Sequence, residues 1–396
     1  MSSLPPPTFI ASAVRTPVGR LSGILSPFSA VQLGILAAKE AVSRSRIPAQ
    51  EIDLSIFGNA RQAGNGPNVA RQIAVGSGIP VEKPAYTVNM ACASGLQAIL
   101  CGFNEISCGN ADAVLVGGTE SMTHVPYLLP KMRQGYRAGH HDILDANFQD
   151  GFMCPLCKEL MGKTAENLAK KYKITRKEQD QYAVESQHRC EKARKTGKFK
   201  DEIVPLEILS QNESILVSED EHPRNGVTLE SLSKLPPVFE KNGTVHAGNS
   251  SGVTDGAAAL VLISERKMKE LNLTPLAKIT ASSSCGVDPA YMGIGPVPSV
   301  KKLLAKTRIK LDEIPLIELN EAFAAQVLAC QKELNLDLNR VNVNGGAIAL
   351  GHPIGCTGAR IVVTLIYEMQ KQKADKGLAT LCVSGGLGVS VLLERF

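Results

Sequence analysis

The chain has no Trp, and aromatic residues make up only 4% of its 396 positions. No interleaved aromatics or groove-reading motif accompany its basic residues, which argues against a nucleic-acid partner. No apolar stretch reaches the roughly 20 residues that a membrane-spanning helix needs, so no membrane is expected. The first residues lack a charged segment followed by an apolar run, and Glu394-Arg395-Phe396 is not a peroxisomal address. The ten Cys follow no regular spacing, and without a secretory leader they read as free thiols. A reduced, cytoplasmic setting is the expectation.

What remains is an ordinary globular composition, 44% hydrophobic and 20% charged, enough for two or three compact units. The 35 Gly suit tight strand–turn–helix joints. The net charge of +5 is uneven, because residues 158–200 hold 13 Lys/Arg against 6 Asp/Glu. Such a run is a solvated helical face or an attractor for a polyanionic ligand.

Two stretches look alike. Strand-like residues 8–14 and 277–282 each open a half. Each half ends in a short apolar strand running into paired glycines, at residues 113–118 and 379–386. This predicts a duplicated α/β unit whose apolar strands are buried on both faces. Residues 122–249 interrupt the pattern with dense charge and helical periodicity. They read as an insertion covering a site built by the two halves. The expected organisation is 1–121 plus 250–274 for the first half, 122–249 for the cover and 275–396 for the second half.

Four short segments carry chemistry. Cys92 lies in a turn of small residues between a strand at 86–90 and a helix at 96–106, where a helix dipole favours thiolate. His352 lies in a Gly-rich loop before a helix from about Thr357, placed to act as general base to Cys92. Cys382 follows the second apolar strand, and its thiolate suits removal of a proton beside a thioester. Asn320 follows a strand at 314–319, either holding a water for an enolate oxygen or capping the next helix.

Taken together, Cys92, Asn320-Glu321-Ala322-Phe323, Gly351-His352-Pro353 and Cys382-x-x-Gly385-Gly386 resemble the thiolase family over nearly the whole chain. The resemblance implies a duplicated thiolase fold with five αβαβα layers and a loop domain over the active site. It implies that Cys92 is acylated by an acyl-CoA, that His352 activates it and that Cys382 moves the proton of the acetyl methyl. Asn320 would carry the water of one oxyanion hole with His352. The backbone N–H groups of Cys92 and of residue 384 would form the other. Here residue 384 is Ser rather than the commoner Gly, so its backbone must suit a Cβ.

Coenzyme A would be bound by Ser251, by Arg224 and Ser231 near the nucleotide, and by Leu160 and Met161 along the acyl and pantetheine pocket. Leu160 replaces a commoner His, which favours longer chains. The implied reaction is reversible Claisen condensation of two acetyl-CoA to acetoacetyl-CoA and CoA. The alternatives are degradative cleavage of longer 3-ketoacyl-CoA chains, or a non-catalytic acyl-CoA-binding protein of the same shape. No cofactor or metal is expected, coenzyme A being substrate and product, and a homodimer or homotetramer is. Cys154 and Cys157 read as incidental thiols, with zinc disfavoured because only His188 and Cys190 could complete a site.

Overall fold

The computed structural model describes residues 6–210 and 213–396. Residues 1–5, on which the reading of the N-terminus rests, lie outside them. Nine strands, labelled in chain order, build the body: β1 Thr8–Arg15, β2 Leu54–Gly58, β3 Ala85–Val88, β4 Ala113–Glu120, β5 Thr254–Ser264, β6 Ala277–Gly286, β7 Leu316–Leu319, β8 Lys376–Val383 and β9 Leu387–Arg395.

The duplication is visible in the hydrogen-bond ladders. The first half runs β3-β2-β4-β5-β1, with β2 parallel to β3 and β4, and β5 antiparallel to β4 and β1. The second half repeats this as β7-β8-β9-β6, with β7 parallel to β8 and β9 antiparallel to β8 and β6. The equivalent of β3 shrinks to a single parallel bridge between Ile317 and Val341. The register even slips at matching points, between Ile10 and Ser12 in β1 and between Ile279 and Ala281 in β6. Ahead of these slips β1 and β6 pair with each other, joining the halves edge to edge.

Burial explains the layering. β4 and β5 are buried at every position, as their continuous apolar runs require. One face of each half packs on the same pair of helices, Ser94–Ser107 and Ile354–Gln372, in one shared core. The helix Ala30–Ser45 covers the outer face of the first half, and the helices Pro296–Thr307 and Ala324–Leu334 cover that of the second. These are the five layers that the resemblance implies. Each Leu, Ile or Val sealed in the middle layer contributes about 1.5–3 kcal/mol. No helix among the described residues is long and apolar enough to cross a membrane.

The segment between β4 and β5 carries two longer helices, Met161–Lys171 and Arg176–Lys195. It is tied to the first half by Arg15, whose guanidinium meets Glu202 at 2.6 Å and Asp220 at 2.6 Å, all three buried.

The two central helices approach through glycines. A Cβ on Gly358 would lie 2.4 Å from the backbone nitrogen of Leu96, and one on Gly95 would lie 2.8 Å from that of Ala359. Gly358→Ala is therefore expected to destabilise the protein by about 1–3 kcal/mol through overpacking, read as a lower urea midpoint at unchanged slope. A neutral substitution would mean that the helices are not held this close.

Candidate active site

Both central helices begin beside a candidate catalytic residue. Cys92 sits in the short turn Ala91–Ala93 that enters the helix Ser94–Ser107. Ala91 takes a left-handed φ of 44°, unusual for a residue with a side chain. Asn89 Oδ1 accepts from the Ala91 N–H at 3.0 Å, and the Ser94 hydroxyl donates to the Ala91 carbonyl at 2.7 Å. These two side chains hold the turn that aims the sulfur.

His352 stands two residues before the helix Ile354–Gln372, which starts earlier than the sequence reading placed it. The reason is distant in sequence: Glu120, at the end of β4, accepts the N–H of Gly355 at 2.9 Å and so caps the first turn. Glu120 also accepts from Asn59 Nδ2 at 2.7 Å and from the Ala60 and Arg61 N–H groups. Burial pushes its carboxyl up to about 7 against the pull of Arg61 and these donors.

The hydrogen bonds of His352 fix its tautomer. Nδ1 lies 2.6 Å from Thr357 Oγ1, and that hydroxyl spends its single proton on the Pro353 carbonyl at 3.0 Å. Nδ1 must then be the N–H donor, which leaves Nε2 as a bare lone pair. Nε2 is buried without a partner among the described residues. Burial, followed by the charges of Arg360 and Arg61, pushes the imidazole down to about 3.

Cys92, His352, Cys382, Ser384, Ser251 and Met161 meet around one cavity of about 60 Å³, closed by Phe152, Met292, Phe323 and Ile354. Burial raises the Cys92 thiol, opposed chiefly by the Ser384 backbone N–H directed at its sulfur. Burial thus works against the helix-dipole expectation and favours the neutral thiol of Cys92. Burial and the neighbouring Cys92 push Cys382 far up. Ser384 has no left-handed φ, which falls instead on Gly385 and Gly386, so its Cβ is accommodated.

Asn320 is buried next to the strand that ends at Cys382, donating its N–H to the Thr380 carbonyl at 3.0 Å, but it is not in the cavity wall, and neither atom of its side-chain amide has a partner among the described residues. It does not cap a helix, because the following one starts only at Ala324 with Phe323 at its cap position. The neighbouring Glu321 organises the surroundings. It accepts from Tyr182 at 2.8 Å, Ser186 at 2.7 Å, Asn342 at 3.0 Å and the Ile348 N–H at 3.1 Å, joining the covering helix to the loop that leads to His352.

Ser251 donates its N–H to the Ala322 carbonyl at 3.0 Å, and His352 donates its own to the Gly252 carbonyl at 2.9 Å. Arg224 and Ser231 line a separate cavity of about 370 Å³ with Gln187, His222 and Gly248. Leu160, at the cap of the helix Met161–Lys171, is not part of the catalytic cavity wall. Cys190 packs with Ala193 and Phe199, apart from Cys154 among Met161 and Cys382, so the thiols considered for zinc are not brought together. No group of three or more His, Cys, Asp or Glu side chains could hold a metal among the described residues.

Sequence reasoning missed Thr357, Glu120 and Arg61. Asn59-Ala60-Arg61 follows β2 as Asn320-Glu321-Ala322 follows its counterpart β7. Aligning the two halves would have drawn attention to it.

Models of the thiolase N-terminal domain and the thiolase C-terminal domain match residues 8–266 and 273–395. The chain belongs to the thiolase family, and it is an acyltransferase. Within that family it is 47% identical to acetyl-CoA acetyltransferases of Allochromatium vinosum and Escherichia coli, over 387 residues and 98% of each chain. Its structure matches the Bacillus anthracis acetyl-CoA acetyltransferase with a TM-score of 0.98 at 44% identity, covering 100% of both chains. It matches human mitochondrial 3-ketoacyl-CoA thiolase with a TM-score of 0.96 at 42% identity, again over 100% of both.

Two outcomes test the site. Because burial raises the Cys92 thiol, its alkylation by iodoacetamide in the free enzyme should climb with pH through 9, about tenfold per unit below the thiol pKa. A plateau reached below neutrality would mean a preformed thiolate–imidazolium pair instead. Thr357→Val removes the acceptor of Nδ1–H and should lower kcat about tenfold or more while leaving the melting temperature nearly unchanged. An unchanged kcat would show that the tautomer is fixed by something else.

Proposed function

We propose that the protein catalyses the reversible condensation of two acetyl-CoA to acetoacetyl-CoA and CoA through an acetyl-Cys92 intermediate. The observation that carries the reading is the small, mostly apolar cavity in which Cys92, Cys382 and the bare Nε2 of a tautomer-fixed His352 come together.

Cys92 attacks the thioester carbonyl while Nε2 takes its proton. The low proton affinity of the buried imidazole makes proton transfer accompany carbon–sulfur bond formation rather than precede it. The same property makes the imidazolium a strong acid that protonates the departing CoA thiolate. The tetrahedral oxyanion lies against the backbone N–H groups of Cys92 and Ser384, donors set before the charge develops. For the second acetyl-CoA, the Cys382 thiol yields its proton to Nε2 of His352, and the thiolate so formed takes a methyl proton. The His352 imidazolium and a water held by the unpartnered Asn320 amide receive the enolate oxygen. The enolate carbon then attacks the acetyl group, and the released Cys92 thiolate takes the proton back from His352.

Residues 122–249 act as the cover, with Arg224 and Ser231 receiving the nucleotide end of coenzyme A and Ser251 and Met161 its pantetheine arm. The small cavity at Cys92 favours an acetyl group over a long chain, and Leu160, outside its wall, does not lengthen it. The 47% identity to acetyl-CoA acetyltransferases supports the same direction. A soluble homodimer or homotetramer in the cytoplasm, with no metal or bound cofactor, completes the proposal.

CoA-dependent thiolysis of acetoacetyl-CoA should have a kcat/KM well above that of a straight medium-chain 3-ketoacyl-CoA in the same assay. Equal or faster cleavage of the longer chain would move the protein to the degradative group. Cys92→Ala should abolish turnover of both, and retained activity would remove Cys92 from the mechanism.

A further inference from the structure

The segment Cys154-Pro155-Leu156-Cys157 has no part in the proposed mechanism, yet it borders the catalytic cavity. It forms the tip of a small hairpin closed by a bridge between Met153 and Leu160. The residues flanking that hairpin, Phe152 and Met161, stand in the cavity wall. Within it, the Cys154 carbonyl accepts the Lys158 N–H at 2.8 Å, and the Cys154 N–H donates to the Glu159 carbonyl at 2.8 Å. Lys158 takes a left-handed φ of 57° to complete the reversal. The turn brings the two thiols into hydrogen-bond contact with each other. Residues three apart in such a turn have Cα atoms under about 7 Å apart, which a disulfide can span.

The two thiols are unequal. Burial disfavours the Cys154 thiolate, but the N–H groups of Cys157 and Leu156, the Cys157 thiol and the Gly385 N–H outweigh it and hold this thiol below its usual value. Burial, and then Cys154 itself, pushes Cys157 up. Cys92 and Cys382 are raised as well, so Cys154 is the readier nucleophile of the group. The turn lies at the surface, with Leu156 67% exposed and Cys157 partly so, which leaves a small oxidant a way in. Its inner side reaches the acyl-transfer chemistry. The Gly385 N–H directed at the Cys154 sulfur belongs to the residue after Ser384, whose own N–H is directed at the Cys92 sulfur. Changing the Cys154 sulfur therefore disturbs the donor that faces Cys92.

We propose that Cys154 and Cys157 form a redox-active dithiol, which a peroxide closes to a disulfide that slows acyl transfer at Cys92 until a small thiol reopens it. The inference rests on the thiolase reading for its effect on activity, whereas the disulfide is read by mass. The Cys154 thiolate attacks one peroxide oxygen, the oxygen–oxygen bond breaks, and the hydroxide released takes up the former Cys154 proton as water. Cys157 then attacks the sulfur of the Cys154 sulfenic acid. The sulfur–oxygen bond breaks, and a second water leaves with the Cys157 proton. The two sulfurs together lose two electrons, and one peroxide becomes two waters. Two molecules of a small thiol reverse the closure by exchange and leave as their own disulfide. In a reducing compartment such a disulfide is transient and serves sensing.

The test exposes the enzyme to equimolar hydrogen peroxide, quenches in acid, blocks remaining thiols with N-ethylmaleimide and maps the peptides by mass. The peptide bearing Cys154 and Cys157 should be unblocked and lighter by two hydrogen atoms, while Cys92 and Cys382 carry the blocking group. The kcat/KM for thiolysis of acetoacetyl-CoA should fall on the order of tenfold in the oxidised fraction, and dithiothreitol should restore it. Cys154→Ser should keep its activity through the same exposure. Cys157→Ser should instead hold Cys154 as a sulfenic acid that dimedone labels. Peroxide inactivation with Cys154 and Cys157 both still blocked by N-ethylmaleimide overturns the inference and leaves the thiolase reading standing. So does a disulfide that leaves kcat/KM unchanged. No thiolysis by the untreated enzyme overturns the thiolase reading and the control of acyl transfer with it, and the mass map still decides the disulfide. If Cys154→Ser does not fold, the wild-type map and Cys157→Ser decide.

Discussion

The structure depends on the close packing of two helices, Ser94–Ser107 and Ile354–Gln372, between the two halves of the sheet. Each helix starts beside one member of the proposed reacting pair, Cys92 or His352. Packing that holds the helices together therefore also holds the proposed nucleophile and base together. Glycines at 95 and 358 permit the approach, and Glu120 reaches from β4 to hold the first turn of the second helix. Duplication supplies the rest of the geometry. β8 delivers Cys382 and Ser384 to the cavity, and Asn320 follows the neighbouring β7, its N–H bonded to the Thr380 carbonyl of β8.

The mostly apolar lining of that cavity sets the chemistry. Desolvation raises both thiols and lowers the imidazole, so the resting site holds neutral groups. A thiolate standing ready would be exposed to oxidation and alkylation between turnovers. Instead, the charge is created when a thioester carbonyl arrives to accept it, against N–H donors that are already in position.

Much of this was legible in the sequence because the chemistry sits in short contiguous segments. The Cys92 turn, the His352 loop, Asn320-Glu321 and Cys382 with its glycines all declare themselves locally, and the buried strands declare themselves by runs without alternation. What could not be read were partners brought together over long separations. Glu120 caps a helix 235 residues away, and nothing beside Gly355 in sequence announces it. Thr357 looks like any helix residue until its hydroxyl is seen between the imidazole and the Pro353 carbonyl. The helix-dipole argument for Cys92 named a real effect but omitted burial, which the sequence around Cys92 does not disclose. Arg61 was passed over because a single basic residue after a strand is unremarkable until it is seen to line the cavity with Cys92.

The central claim is that Cys92 carries the acyl group between two half-reactions. Its most direct test is to mix the protein with acetyl-CoA alone, quench in acid, and map acetylation by mass spectrometry of the peptides. The account predicts one acetyl group on the peptide bearing Cys92, discharged on addition of free CoA, and no acetylation in His352→Ala on the same timescale. Acetyl transfer to another residue, or turnover without any acylated Cys92, would contradict it.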